Sequence, residues 1–347
     1  MNLHYFFDHQ NNFGDALNTW LWDALLADRE MTATDIWLCG IGTILNHNLP
    51  RDKAMVIMGS GIGYGPTPID RGRNWDVAAV RGPLSAHCLG LDQEKAITDG
   101  AILLSLLPEY APTVAKQSRS GTLFIPHYMS VEGSAWAQAC ALAGIEFVDP
   151  RSDSRQIMVK IQSAELVIAD AMHGAIVADV LRTPWVAASF DTRTSSFKWN
   201  DWCLSMQIRH RPHGLPASTL FEVVRNMAMP LNGDRMPLAA QGIEALGRQH
   251  RRNNRAKETS IVFHSRKIAT RVIRDIATHV GALEQRFAPL ASHRRIVEAA
   301  NALNNLARAP AMLSDDTVFY MQRERMANAL KCLAGSYGVA LHKDLPL

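Results

Sequence analysis

Short apolar runs alternate with stretches of helical period along the first two thirds of the chain. Leu3 to Phe7 reads as a strand. A polar turn, Asn11-Asn-Phe-Gly-Asp15, then precedes a helix expected from about Ala16 to Leu26. Further strands are expected at Ile36 to Cys39, Ala54 to Met58, Val77 to Val80 and Ala96 to Thr98. They end at Gly40-Ile-Gly42, Gly59-Ser-Gly-Ile-Gly63, Arg81-Gly82-Pro83 and Asp99-Gly100, and helices follow the last two. Proline suits a first helical turn, where its missing N–H is not needed. Strands alternating with helices imply a parallel, doubly wound α/β sheet.

Pro108 to Gly121 has little periodicity and reads as a linker, after which the pattern restarts. Strands at Thr122 to Ile125 and Glu146 to Val148 alternate with helices at Ser134 to Ala143 and Ser154 to Ser163. The stretch from Glu165 to Ala187 then gives an apolar strand, a turn with His173 and Gly174, a short helix and another apolar strand. The expected organisation is two Rossmann-like domains facing a cleft, at residues 1–110 and 121–215, followed by a mainly helical extension at 216–347. In that extension Ile268, Val272, Ile276, Val280, Leu283 and Phe287 recur at helical spacing, decorated by Arg266, Lys267, Arg271, Arg274 and Arg286. Such a helix packs on its own protein, lies on an anionic membrane or meets a partner helix.

The 347 residues, 47% of them hydrophobic, suit two ordinary cores. A formal net charge of +3 and the lack of any nucleic-acid motif argue against a general polyanion binder. Cys39, Cys88, Cys140, Cys203 and Cys332 are scattered, without a CxxC pair, and read as reduced thiols rather than a disulfide framework or zinc site. The N-terminus lacks the basic start and apolar run of a signal peptide. No apolar run is long enough to span a bilayer. A cytoplasmic protein is expected, with peripheral contact at the inner face of the plasma membrane left open.

In an open parallel sheet, ligands gather where strands end and helices begin. The first N–H groups of a helix attract anions, and a histidine there can also move a proton. His127, Arg151 and His173 all fall at expected strand ends of the second unit. Two imidazoles and a guanidinium suit a small dianionic ligand. Gly174 supplies either backbone approach to that ligand or a permissive turn. In the first unit, Asn12 and Asp15 precede a helix. Asp15 either caps it or faces the cleft as a carboxylate able to bind or deprotonate a sugar hydroxyl; Asp99 carries the same choice. Arg81 sits either beside an anionic ligand or in an ion pair. Gly61 lies in a turn that serves either close packing or a ligand cradle. The chain has no GxGxxG fingerprint, P-loop, HExxH or carboxylate cluster of metal spacing, so neither a bound cofactor nor a metal is expected.

The order of seven segments carries a resemblance. These are Asn12-Phe-Gly-Asp-Ala-Leu-Asn18, Gly40-Ile-Gly-Thr-Ile-Leu45, Met58-Gly-Ser-Gly-Ile-Gly63, Val80-Arg-Gly-Pro-Leu-Ser85, Asp99-Gly-Ala-Ile-Leu-Leu104, Asp149-Pro-Arg-Ser-Asp153 and Met172-His-Gly-Ala-Ile-Val-Ala-Asp179. Together they resemble the polysaccharide pyruvyl transferase family, bacterial exopolysaccharide ketal-pyruvate transferases of the succinoglycan and xanthan type above all. The resemblance covers roughly residues 2–205. It implies a fold similar to GT-B glycosyltransferases, phosphoenolpyruvate as donor substrate and a lipid-linked oligosaccharide acceptor. It implies that His173 contacts the donor and serves as general acid, with His127 and Arg151 as further donor-binding positions and Asp15 or Asp99 as base. One departure stands out: Ala171 occupies a position where family members carry a basic residue or serine. Arg151 or Arg193 is a candidate to replace that charge. A nucleotide-sugar glycosyltransferase and a non-catalytic saccharide-binding homologue remain as alternatives.

Overall fold

The computed structural model describes residues 1–7, 9–27, 35–47, 49–63, 74–112, 119–189, 196–228, 242–258, 273, 275–280, 282–283 and 286–346. Tyr64, Arg193 and most of the expected helix at 261–287 lie outside the described residues. The first unit contains β1 (Asn2–Leu3), α1 (Phe13–Ala16), α2 (Asn18–Leu25), β2 (Leu26–Ala27), β3 (Ile36–Cys39), β4 (Ala54–Met58), β5 (Trp75–Ala79) and α3 (Pro83–Leu89). Its sheet has the order β1-β3-β4-β5 and is parallel throughout. Leu38, Val56 and Ile57 are buried, as expected of strands covered on both faces.

The second unit contains β6 (Thr122–Ile125), α4 (Trp136–Ala143), β7 (Glu146–Phe147), α5 (Ser154–Ser163), β8 (Leu166–Ala169), α6 (Met172–Val180), β9 (Trp185–Ser189) and, after α7 (Ser196–Ser205), β10 (His213–Gly214). The sheet order is β10-β9-β8-β6-β7, again parallel. The chain runs β6 to β7 on one side and then returns to β8 on the other. The strand order therefore reverses between β6 and β8, the position where such sheets form a ligand crevice.

Three expectations need correction. The strand expected at Leu3 to Phe7 stops at Leu3. Ala96 to Thr98 contributes only a bridge from Ala96 to Val80, because the chain turns at once into the 3-10 helix Gly100–Leu106. The helix expected from Ala16 to Leu26 is two helices, α1 and α2, and the described segments after residue 215 are mainly helical. The late helices are α8 (Leu220–Ala228), α9 (Gly242–Glu258), α10 (Pro289–Leu306) and α11 (Asp316–Tyr337). Leu246 of α9 packs with Leu84 and Val80 in the first unit. Leu303 and Leu306 of α10 pack with Phe124 and Trp136 in the second. Phe319 and Leu330 of α11 return to the first, where β11 (Ala340–Leu341) pairs antiparallel with β2. An amphipathic helix buries its apolar stripe on whichever sheet face is open, and both sheets have one to cover.

One apolar core crosses the boundary between the units. It joins Leu21, Trp22 and Leu103 to Ile157, Val167, Trp185, Trp199 and Trp202. This shared core fixes the strand ends of one unit relative to those of the other.

Candidate functional site

Three elements converge at this boundary: α1, the 3-10 helix Gly100–Leu106 and the first turn of α6. Asn18 sets the first. Its amide donates to the Asp15 and Ile41 carbonyls (3.0 and 2.9 Å), and its oxygen accepts from Ile41 N–H and Trp22 Nε1, each at 2.9 Å. That clamp fixes Asp15 beside the Gly40-Ile-Gly42 turn after β3. Asp15 is buried and accepts a 2.6 Å hydrogen bond from Asn12 Nδ2. Phe13 N–H reaches across to the Pro150 carbonyl at 2.9 Å, and Asn11 Nδ2 reaches the Arg151 carbonyl at 2.9 Å. These bonds seat the first unit's loop on the second.

His173 lies in the first turn of α6, where Ala171 is the N-cap and offers no side-chain cap. The imidazole packs against Gly14 so closely that a Cβ at residue 14 would overlap the ring. This explains the glycine in Phe13-Gly14-Asp15 as a steric need of the second unit. Asp99 comes from the opposite sheet. Its Oδ1 caps the 3-10 helix by accepting from Ala101 N–H at 3.0 Å, while Oδ2 lies 3.9 Å from His173 Nε2. Both Oδ2 and Nε2 are buried without a hydrogen-bond partner among the described residues. Native proteins rarely leave such atoms unpaired, and catalytic hydrogen bonds are often long until a ligand arrives.

The electrostatics separate the pair. Burial, with the Lys198 and Arg81 cations adding to it, pushes His173 down to about 3. Burial raises Asp99 to about 6, against the Ala101 hydrogen bond and the Arg81 charge. The imidazole is therefore neutral at pH 7, and the carboxyl titrates at about 6.

Lys198 escaped the sequence reading. It lies on α7, buried beside His173's surroundings. Its signal was a lysine in the run Ser196-Phe-Lys-Trp, which leaves little solvent-facing room for an ammonium group. Asp170 also went unremarked. It ends β8, is buried, and accepts the His127 N–H at 2.9 Å. It thereby ties the turn after β6 to the turn after β8 at the reversal point.

The other candidates divide. His127 is half-buried at the end of β6, its Nδ1 accepting weakly from Met129 N–H at 3.4 Å. Arg151 is turned onto Asp149, with Nε 2.9 Å from Oδ1, and this pairing holds the aspartate below the usual carboxylate range. Arg81, expected beside a ligand or in an ion pair, takes the second role. Nε bonds Asp201 Oδ2 at 3.2 Å, Nη1 bonds Thr43 Oγ1 at 2.7 Å and Nη2 bonds the Ile62 carbonyl at 2.6 Å. It touches the site through its field on His173. Gly61 leaves space for that guanidinium, since a Cβ there would come within 2.5 Å of its central carbon. Gly174 donates its N–H to the Ala171 carbonyl at 2.9 Å and packs onto Ala169 and Ile125. A Cβ there would meet Ala169 and Ile125 at an ordinary 3.4 Å, and its N–H is already engaged within the helix turn.

No group of His, Cys, Asp and Glu suited to a metal occurs among the described residues. None of the described helices is long and apolar enough to cross a membrane. Compared with known proteins, the chain is 38% identical over 226 residues to the succinoglycan biosynthesis protein ExoV of Rhizobium meliloti (strain 1021). The match covers 65% of this chain and 71% of that protein. No protein-family model matches the chain, and no solved structure matches it.

Proposed function

Because the chain belongs to the family of the succinoglycan biosynthesis protein ExoV, we propose that it is a transferase of exopolysaccharide assembly that moves pyruvate from phosphoenolpyruvate onto a sugar of the repeat unit. The product is a cyclic ketal, and inorganic phosphate is released. The observation that carries this reading is the buried, unpaired Asp99–His173 couple at the boundary of two parallel sheets, with Lys198 and Arg81 supplying positive charge.

The chemistry proceeds in balanced steps. A proton passes to the methylene carbon of phosphoenolpyruvate, and C2 becomes electrophilic. A sugar hydroxyl attacks C2 and gives its proton to a carboxylate. The C2–O bond to phosphate then breaks, and a second hydroxyl closes the ketal with loss of its proton. His173 is assigned the first proton transfer. It is neutral at pH 7 mainly because it is buried; a donor phosphate dianion beside it adds a negative charge that opposes that depression and the smaller one from Lys198 and Arg81. Lys198 and the first turn of α6 bind the donor's anionic groups, and Lys198 takes the place of the charge that Ala171 does not provide. Asp99 or Asp15 receives the hydroxyl proton. Fixed charges of this kind commonly supply the largest part of catalysis.

The test is phosphate release from phosphoenolpyruvate, with and without lipid-linked oligosaccharide acceptors. Acceptor-dependent release that disappears in His173→Ala supports the reading. Protection against thermal unfolding by a nucleotide sugar and none by phosphoenolpyruvate replaces it with glycosyl transfer.

A further inference from the structure

An exposed aromatic segment joins β1 to α1 at the rim of the candidate site and takes no part in the chemistry above. The His4 N–H donates to the Leu38 carbonyl at 2.9 Å and continues the parallel pairing of β1 with β3. The segment therefore leaves the sheet at the same edge as the Gly40-Ile-Gly42 turn, the edge where parallel sheets gather ligands. At its other end Asn11 Nδ2 and Phe13 N–H are held by the Arg151 and Pro150 carbonyls of the second unit. Between these anchors Phe6 and Phe7 are 49 and 70% exposed. The Phe7 and His9 rings meet edge to face, 5.5 Å between centroids and 82° between planes, and most of the Phe7 ring stays in water.

Large apolar side chains held together in water mark a binding surface more often than chance. Polar groups accompany these two: His9 and Gln10 are exposed, and Asn11 and Asn12 are half-buried. An amide both donates and accepts hydrogen bonds without carrying charge. An aromatic face is electron-rich and attracts weakly positive C–H groups. A sugar ring matches both features, because its face presents C–H groups and its rim presents hydroxyls. A lipid tail would use the rings and leave the amides idle. The segment is also continuous with the site. Phe7 and Asn12 are five residues apart, so their Cα atoms lie within about 18 Å of each other, and Asn12 bonds Asp15 at 2.6 Å. An oligosaccharide of a few units can rest one sugar on Phe7 and present another at Asp15.

We propose that Phe7, flanked by Phe6 and His9, is a stacking subsite for a sugar of the oligosaccharide acceptor other than the one that reacts, with His9 and Gln10 bonding its hydroxyls. The subsite rests on the acceptor half of the proposed reaction and not on the donor half. The test is isothermal titration of the full chain with pyruvate-free oligosaccharides made by partial hydrolysis of succinoglycan. The wild type binds them, and Phe7→Ala weakens binding about tenfold or more. Phe7→Trp keeps a ring face and retains the affinity, whereas Phe7→Leu, apolar without a ring, does not. Phe7 is exposed, so all three variants keep the wild-type melting temperature and the wild-type thermal shift with phosphoenolpyruvate. No saccharide binding by the wild type, affinity indifferent to Phe7→Ala, or full rescue by Phe7→Leu overturns the subsite. Self-association that disappears in Phe7→Ala, without saccharide binding, overturns it in favour of a second copy of the chain. Saccharide binding through Phe7 in a chain that shows no response to phosphoenolpyruvate upholds the subsite and removes the donor reading instead.

Discussion

Two acid–base pairs are buried where α6 and α7 meet the turns of the first sheet, and they differ in how their polar atoms are used. Asp201 accepts from Arg81 Nε, from Ser85 Oγ at 2.5 Å and from the Leu84 and Ser85 N–H groups at 2.9 Å each. It therefore caps α3 and neutralises a guanidinium in one step. Asp99 and His173, a short way along the same boundary, leave Oδ2 and Nε2 unpaired. Burial is equal, and sequence separation is large in both. The saturated pair has no capacity left for a substrate and fixes the frame. The unsaturated pair retains a proton donor or acceptor facing its partner across 3.9 Å. Hydrogen-bond saturation, more than charge or depth, separates framework from chemistry under the proposed reaction.

The comparison breaks most sharply at His173. Under the proposed reaction, His173→Ala and Asp99→Asn each lower kcat for phosphate release by about 100- to 10,000-fold, while melting temperature stays at the wild-type value or rises. If Asp201→Asn produced the same loss at unchanged stability, the division of labour would be wrong.

Next in size is the framework pair. Asp201→Ala leaves a buried guanidinium without its counterion and lowers unfolding free energy by about 3–5 kcal/mol, measured by urea denaturation. Removing the guanidinium as well, Arg81→Met with Asp201→Ala, recovers only the part due to the unpaired charge, because Leu84 N–H, Ser85 N–H and Ser85 Oγ still lack their acceptor.

The third prediction uses pH. Asp99 titrates at about 6 in the folded chain and ordinarily at 3.8. The folded state thus keeps a proton that the unfolded chain has released, so this contribution to stability is lost as pH rises from 3.8 to about 6. Asp99→Asn removes that slope and gains on the wild type by on the order of 3 kcal/mol across the window. His173 has the opposite sign: it titrates at about 3 folded and 6.5 unfolded. Its contribution is lost as pH falls below 6.5, and His173→Ala abolishes that limb. Urea midpoints at a series of pH values read both slopes.

The smallest effect tests how closely the units cooperate. Gly14→Ala places a methyl group against the His173 ring. It lowers kcat on the order of tenfold, about 1.4 kcal/mol in barrier, with little change in KM. An unchanged kcat means the imidazole moves aside freely and its packing does not set its position.

Much of this was legible in the chain. The apolar runs marked β3, β4, β6, β8 and β9 because a parallel strand covered on both faces must be apolar throughout. His173 was legible as a turn residue after such a strand, and Asp99 as the residue before a helix. What misled the reading was chemistry that local pattern does not carry. Arg81 and Gly61 sit in a turn that looks like a ligand cradle, yet each is explained by the other and by Asp201, 120 residues away. Gly174 looked like backbone approach to an anion, yet its N–H bonds the Ala171 carbonyl within the helix turn. Lys198 stayed hidden because a lysine within an aromatic run has no helical or strand signature of its own.

The sequence by itself determined the alternation of strands and helices, the parallel sheets, and the helix starts that carry His173, Asp99 and Asp15. Hydrophobic period and turn composition are local properties, and local properties are written in order along the chain. Only the tertiary structure decided that Asp99 meets His173, that Arg81 belongs to Asp201, and that the late helices cover both sheets. Those outcomes depend on which polar atoms find partners after burial, and a partner one hundred residues distant leaves no trace in the spacing of its neighbours.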